Sequence, residues 1–65
     1  MNAKQADRVI ALAQARHCAA GWLPYVDDDG AETFVVTVVE TDTGRIVRLQ
    51  DFDEAQAWAG SVIHE

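Results

Sequence analysis

Four carboxylates stand close together in the middle of the chain. The three consecutive aspartates Asp27–Asp29 are followed by Gly30 and Glu32, and an oxygen-rich turn of this kind is what hard cations such as calcium require. The spacing does not match an EF-hand loop, because Gly30 is fourth rather than sixth and Val38 stands where the bidentate glutamate belongs. The sequence therefore predicts a solvated hairpin turn without a metal, with an acidic partner-binding surface as the alternative.

A second candidate for chemistry is the tripeptide Asp42–Gly44, which reads Asp-Thr-Gly as in the aspartic proteases. That mechanism needs two such aspartates sharing one proton. Here Thr41 precedes the tripeptide and Arg45 follows it, whereas the protease motif follows a hydrophobic strand and continues with Ala or Ser. A chain of 65 residues is also too short for the protease barrel, so we interpret these residues as a hairpin turn.

Thiol or imidazole chemistry would need His17, Cys18 or His64. On a predicted helix, His17 and Cys18 point about 100° apart, so the imidazole cannot serve as base for the thiol. The three residues are one short of the four ligands of a structural zinc site. We therefore predict that Cys18 is a small buried residue, that His64 lies in the last turn of a second helix, and that the chain is not an enzyme and carries no cofactor or metal.

A first helix is predicted to begin at Asn2, because Asn2 and Gln5 have the spacing of a capping box. Gly21 is its predicted end, since glycine adopts the left-handed conformation after a helix without strain. The many alanines of this helix predict close approach to a neighbouring element. Residues at three- and four-residue steps form its predicted buried stripe: Ala6, Val9, Ile10, Ala13, His17 and Ala20.

Three strands are predicted to follow. The first is Trp22–Val26, an edge strand because Pro24 has no amide hydrogen. The second is Glu32–Glu40, apolar on both faces, and a turn with Gly44 in the left-handed conformation joins it to a return strand at Arg45–Gln50. We expect five aromatic side chains to pack in the core, the first of them being the most exposed: Trp22, Tyr25, Phe34, Phe52 and Trp58.

Asp51 and Glu54 repeat the capping spacing and predict a second helix, whose N-terminal acids complement the helix dipole. Its predicted buried stripe is Phe52, Ala55, Trp58, Ala59, Val62 and Ile63. The predicted fold is a single small α+β domain over residues 1–65. Its elements follow the order α-β-β-β-α, with an antiparallel sheet packed by two helices.

Eleven acidic residues against five basic ones give a net charge of −6. Residues 1–16 carry a net +2 and residues 17–65 a net −8, which disfavours direct nucleic-acid binding because that needs clustered cations. Two interpretations stay open: the carboxylates imitate a phosphate backbone and bind a basic protein surface, or they only keep a small domain soluble. The predicted partner contacts are Asp27, Asp28, Asp29, Glu32, Glu40, Asp42 and Trp22.

The single cysteine excludes an internal disulfide, which favours a reducing compartment. The first residues lack the apolar region of a signal peptide, and no stretch is apolar enough for a membrane helix. We expect a cytoplasmic protein without membrane contact.

The run Ile46–Ala59, which reads IVRLQDFDEAQAWA, resembles the strand and helix start of many small phage and bacterial domains, such as the arm-binding domains of integrases. Those domains are basic where this chain is acidic, so their DNA binding is not implied. As a whole, a tiny acidic α+β chain without catalytic motifs is similar to phage-encoded anti-defence proteins such as anti-CRISPRs. That similarity implies a stoichiometric inhibitor that covers the basic, nucleic-acid-binding surface of a bacterial effector such as a CRISPR complex, in the host cytoplasm.

A non-catalytic structural or oligomeric role is the alternative to inhibition. In that case the alanine-rich first helix or the Trp22 edge pairs with a second copy to form a homodimer. A chain this short gains stability by burying one more face. The acidic surface would then serve only solubility.

Overall fold

Two helices cover one face of a three-stranded antiparallel sheet in the computed structural model, which describes residues 1–63. In chain order the elements are α1 (Ala3–Ala15), β1 (Ala19–Val26), β2 (Glu32–Glu40), β3 (Arg45–Leu49) and α2 (Phe52–Ala59). The strand order is β1-β2-β3, so each strand pairs with the next strand along the chain. The predicted α+β fold with the order α-β-β-β-α is confirmed.

The first helix begins as predicted and ends earlier. The Asn2 side chain accepts a hydrogen bond from the Gln5 amide at 2.8 Å, and the Gln5 side chain accepts one from the Asn2 amide at 3.0 Å. The capping box is therefore confirmed. The helix ends with Arg16 as its C-cap, and His17 then takes a left-handed conformation with φ 62°.

Two backbone hydrogen bonds close this early helix end. The His17 amide donates to the Gln14 carbonyl at 3.0 Å, and the Cys18 amide donates to the Ala13 carbonyl at 2.9 Å. Both bonds belong to a Schellman motif, in which a glycine normally takes the left-handed position. A non-glycine residue there costs about 1 kcal/mol, so the surrounding structure must stabilise it.

Pairing with β2 supplies that stabilisation. The residues after His17 join the sheet at once, with Ala19 opposite Val39, so β1 begins three residues before the predicted Trp22. Gly21 consequently lies inside β1. The predictions that Gly21 ends the helix, and that His17 and Ala20 belong to its buried stripe, are wrong because long-range strand pairing starts before the glycine.

The β2–β3 hairpin is confirmed. β2 has its predicted bounds, and the Gly44 amide donates to the Glu40 carbonyl at 2.7 Å with Gly44 at φ 73°. β3 ends at Leu49, one residue before its predicted end. Pro24 lies in β1, which is an edge strand as predicted.

The core lies between the helices and the inner face, the sheet face that carries Val36, Val38 and Leu49. Small side chains on both helices let them approach this face closely, and Ala13 of α1 and Ala55 of α2 are both fully buried. Burial of apolar surface in this layer is the main stabilising term of the fold. The buried cluster is Ala6, Val9, Ala13, Val36, Val38, Leu49 and Ala55.

The second helix also begins as predicted. The Asp51 side chain accepts a hydrogen bond from the Glu54 amide at 2.8 Å. Gly60 ends the helix in the left-handed conformation, with φ 73°.

Because α2 ends at Gly60, the last residues of its predicted stripe are not helical. Val62 is 73% exposed, so its predicted burial is wrong. Ile63 does pack against the core, and its amide donates to Gln56 Oε1 at 3.2 Å. The predicted position of His64 lies outside the described residues.

Arg16 joins the ends of the two helices. Its Nη2 donates to the Ala59 carbonyl at 2.6 Å, and its guanidinium carbon lies 5.3 Å from the centre of the Trp58 ring. A cation at the C-terminal end of a helix is favourable, and stacking on tryptophan adds a cation–π contribution. Arg16 therefore fixes the C-terminal ends of α1 and α2 to each other.

Candidate functional site

The β1–β2 turn forms one end of the sheet and carries four of the predicted contacts. Asp28 and Asp29 are exposed at its tip, and Glu32 is the exposed first residue of β2. Asp27 is half-buried at the base of the turn. The structure thus brings these four carboxylates together, as the sequence spacing predicts.

Asp27 stabilises this turn through its side chain. Its Oδ1 accepts hydrogen bonds from the amides of Asp29 at 3.0 Å and Ala31 at 2.9 Å. The Gly30 amide donates to the Asp27 carbonyl at 3.0 Å, and Gly30 has φ 82°, a conformation that favours glycine. One oxygen of Asp27 is therefore engaged within the turn.

Replacing Asp27 by Ala is expected to destabilise the protein by about 1 kcal/mol, because two backbone amides lose their side-chain acceptor. Asp27→Asn keeps an acceptor oxygen at the same place and should retain most of that stability. Urea unfolding followed by circular dichroism measures both variants. Asp28→Ala is the matched control and should leave the unfolding midpoint unchanged; an equal loss for Asp28→Ala would contradict this role of Asp27.

The N-terminal end of α2 lies at the same end of the sheet. β3 runs antiparallel to β2 and ends with Leu49 opposite Val36, the middle residue of β2, so the chain continues from there toward the start of β2. The Met1 amino group connects the two regions, donating to Thr33 Oγ1 at 2.8 Å and to the Gln50 carbonyl at 3.5 Å. Three exposed acids follow directly after Gln50: Asp51, Asp53 and Glu54.

We call this region the acidic end; its carboxylates are Asp27, Asp28, Asp29, Glu32, Asp51, Asp53 and Glu54. Sequence reasoning assigned the last three to helix capping alone. The antiparallel hairpin was the signal that could have placed them here, because it directs the chain after β3 toward the start of β2. The positively charged Met1 amino group lies within this region, between Thr33 and Gln50, and offsets one of these charges.

Two of the predicted contacts lie at the opposite end of the sheet. Glu40 ends β2, and Asp42 is exposed in the β2–β3 turn. β2 has nine residues, so about 27 Å separate its two ends. Thr41 Oγ1 donates to the His17 carbonyl at 2.8 Å and so attaches this turn to the end of α1. The structure therefore divides the predicted set of contacts into two groups.

Trp22 lies on the inner face at the free edge of β1 and is 50% exposed, as predicted. Its ring meets that of Phe34 edge to face, with 5.2 Å between the ring centres. Together with Ala3, Ala6 and Asp7, the two rings line an open groove of about 160 Å³.

The other aromatic side chains divide between core and surface. Phe34, Phe52 and Trp58 pack against the core as predicted. Tyr25 is 39% exposed and lies on the sheet face that the helices leave uncovered, so its predicted core position is wrong.

We call that uncovered side the outer face. It is formed by the side chains that alternate with those of the inner face along the three strands. Leu23 is 66% exposed and Ile46 is 70% exposed, whereas Val35 between the edge strands is buried by its neighbours. Its members are Ala19, Gly21, Leu23, Tyr25, Thr33, Val35, Thr37, Val39, Ile46 and Arg48.

Among the described residues, His17 and Cys18 do not lie in a catalytic arrangement. His17 is exposed and Cys18 half-buried in the short connection between α1 and β1, so the prediction that Cys18 is a buried helix residue is wrong. Among residues 1–63, no three His, Cys, Asp or Glu side chains come together in a way that could hold a metal ion. The groups that the structure does assemble are carboxylates on one surface and apolar side chains on another.

Neither helix in the described part of the chain is long and apolar enough to cross a membrane. Comparison with protein-family models, with curated proteins and with solved structures finds no match for this chain. The chain is therefore assigned to no family, and its candidate function depends on its own surfaces.

Proposed function

We propose that this chain is a small protein-interaction module that acts as a stoichiometric inhibitor. Its acidic end binds the basic, nucleic-acid-binding surface of a bacterial effector, such as a CRISPR complex, and prevents DNA or RNA from binding there. The single observation that supports the proposal is the location of seven carboxylates toward one end of the sheet, in two segments that are distant in the chain and that the Met1 amino group connects. Inhibition by occupancy requires no catalytic group, and the effector is met in the bacterial cytoplasm.

Hydrogen bonds within each segment hold the backbone of the acidic end. The β1–β2 turn is closed by the Asp27 hydrogen bonds, and the start of α2 is fixed by the Asp51 cap. Carboxylates held in this way need little further ordering when a partner binds, which reduces the entropic cost of association. Clustered charges of one sign also raise the association rate with an oppositely charged groove.

The acidic residues at the start of α2 also stabilise the helix itself. Asp53 and Glu54 lie in the first turn of α2, where acids stabilise the helix dipole. Asp28 and Asp29 have no such role within the helices, since they stand in an exposed turn. These two aspartates are therefore the cleanest positions for testing partner binding.

The test is a pull-down from bacterial lysate with the tagged chain at about 0.1 M and about 1 M salt, because the screening length falls from about 10 Å to about 3 Å in this range. We expect one nucleic-acid-handling protein to bind at low salt and dissociate at high salt. The purified partner should lose its DNA or RNA binding at a 1:1 ratio of inhibitor. A partner that keeps full nucleic-acid binding in the complex would refute inhibition.

The charge variants locate the contact. Replacing both Asp28 and Asp29 by Lys should weaken the partner's affinity at least about tenfold, since two attractive contacts become repulsive. Asp28→Lys and Asp42→Lys make a matched pair, because each reverses one exposed turn carboxylate, at opposite ends of the sheet. An equal loss of partner affinity for the two variants would contradict binding through the acidic end.

A non-catalytic oligomeric role is the second candidate function. The observation that favours it is the outer face, where Leu23 and Ile46 are more than half exposed. Large exposed apolar groups on a sheet face are typical of surfaces that another chain covers.

A further inference from the structure

The outer face differs in charge from the rest of the chain. Of the residues that form it, Arg48 is the only charged one, and none of the acidic residues within 1–63 belongs to it. A basic partner would find no carboxylates there, so the occupant of the acidic end is not suited to this face. An acid-free face is, however, a surface on which two copies of a chain with net charge −6 can meet.

Side-chain size changes in order in the two rows of this face that span all three strands. In one row, Ala19 of β1 lies beside Val39 of β2, which lies beside Ile46 of β3. In the next row, Gly21 lies beside Thr37, which lies beside Arg48. Each of these two rows therefore runs from a small residue on β1, through a β-branched residue on β2, to a long residue on β3, whereas Leu23 and Tyr25 lie beside Val35 and Thr33 beyond the end of β3.

Consider two copies whose outer faces meet, related by a 180° rotation about an axis that lies between the sheets and runs parallel to β2. Each row of one copy then faces the same row of the other copy in reverse order. The rotation places β3 of one copy over β1 of the other, so the long residue in each row meets the small residue of the facing row. Ile46 then covers Ala19 of the second copy, and Arg48 covers Gly21 of the second copy. Face-to-face sheets pack about 10 Å apart with a rotation of about 30° between them, which preserves these pairings close to the axis.

The glycine at position 21 independently supports contact between the outer faces of two copies. A glycine inside a strand is unfavourable by roughly 0.5 to 1 kcal/mol relative to alanine. Gly21 lacks the positive φ that favours glycine at positions 30, 44 and 60. A Cβ added at Gly21 would meet no atom within 4 Å, so neither backbone conformation nor packing within one copy requires a glycine at this position.

We propose that the outer face is the interface of a two-fold symmetric homodimer, in which the long residues of β3 pack over Ala19 and Gly21 of the second copy. The outer face is a different surface from the two that the sequence predicts for self-association, the first helix and the Trp22 edge. It is also independent of the acidic end, which stays free at the periphery.

The size of the face sets the strength of the dimer. Three strands spaced about 4.8 Å apart and about seven residues long present a surface of about 14 Å by about 23 Å. With side-chain relief, the area buried over both copies is on the order of 1,000 Å², the lower limit for a specific interface. We therefore expect reversible association that depends on protein concentration.

The axis along β2 brings the two acidic ends to the same side of the dimer. Their mutual repulsion opposes association and is screened by salt. Dimerisation should therefore strengthen as salt rises, whereas the binding of a basic partner should weaken. The opposite signs allow failure of one proposal to be distinguished from failure of the other.

Sedimentation equilibrium of the full chain, at several concentrations between about 1 µM and about 1 mM, tests the proposal. The mass should rise from the monomer value of 7.1 kDa to twice that value, at lower concentration in high salt than in low salt. A monomeric mass over the whole range, in both salt conditions, would overturn the proposal.

Gly21→Val separates the interface from the fold. Valine favours strands, and its side chain has open space in a single copy, so the thermal midpoint of dilute protein should stay equal or rise. In the dimer the added methyl groups occupy the place of Arg48 from the second copy. We expect the dissociation constant to increase at least tenfold; an unchanged constant would overturn the proposed interface.

A pair of exposed apolar residues gives the matched control. Ile46 is 70% exposed on the outer face, and Val62 is 73% exposed beyond the end of α2. Ile46→Asp should abolish the dimer, because it places a carboxylate in the interface, and Val62→Asp should not affect it. Loss of the dimer only with Val62→Asp would locate the contact elsewhere and refute the outer face.

Discussion

Val36→Asp is expected to abolish folding. Val36 is fully buried on the inner face, where it pairs with Trp22 on one side and Leu49 on the other. An unpaired carboxylate there costs more than about 4 kcal/mol. The core of a chain of 65 residues rarely supplies more than about 3 to 5 kcal/mol of stability, so the folded population should be lost or nearly lost.

Far-ultraviolet circular dichroism and proton NMR dispersion measure this outcome. Val36→Ala is the milder companion, expected to cost about 2 kcal/mol through lost burial and the cavity that remains. Ile46→Asp is the control, because it introduces the same charge on the exposed outer face and should leave a folded monomer. A well-folded Val36→Asp protein would contradict the assignment of the inner face as the core.

Ala13→Leu is expected to cause the second largest loss. Ala13 is fully buried between α1 and the elements it packs against, and the small side chain lets these surfaces approach. Three added carbon atoms have no space there, so helix and sheet must separate. Overpacking of this kind typically costs about 1 to 3 kcal/mol, a large part of the stability of so small a domain.

Ala11→Leu provides the control for helix propensity. Ala11 is exposed on the same helix, and leucine and alanine differ little as helix formers. Urea unfolding should therefore place Ala11→Leu close to the parent protein and Ala13→Leu well below it. Equal stability of the two variants would show that α1 does not rely on a small residue at position 13.

The two proposals give different binding functions to two surfaces, one charged and one apolar. The acidic end offers carboxylates to a basic partner, and the outer face offers apolar side chains to a second copy. If both hold, the dimer presents two acidic ends side by side, with twice the charge available to a single basic groove. Measuring the partner's affinity for parent protein and Gly21→Val at equal chain concentration would then show whether dimerisation increases inhibition.

Local chemistry was enough to predict several elements from the sequence. The Asn2 and Asp51 caps, the left-handed Gly44 and the bounds of β2 depend on groups only a few positions apart, and all are present in the structure. The same holds for the α+β order and for the exposed Trp22 edge. Hydrogen bonds and side-chain alternation of this range are properties of a short segment, so its residues alone determine them.

The tertiary structure decided what depends on distant partners. The end of α1 at Arg16, with His17 rather than Gly21 in the left-handed position, follows from pairing between Ala19 and Val39. The Met1 amino group bonds both Thr33 and Gln50, so the acids at the start of α2 lie toward the same end of the sheet as the β1–β2 turn, while Glu40 and Asp42 lie at the far end. Both helices lie on one face and expose the other. A short segment cannot specify these arrangements, because each is set by contacts between residues twenty or more positions apart.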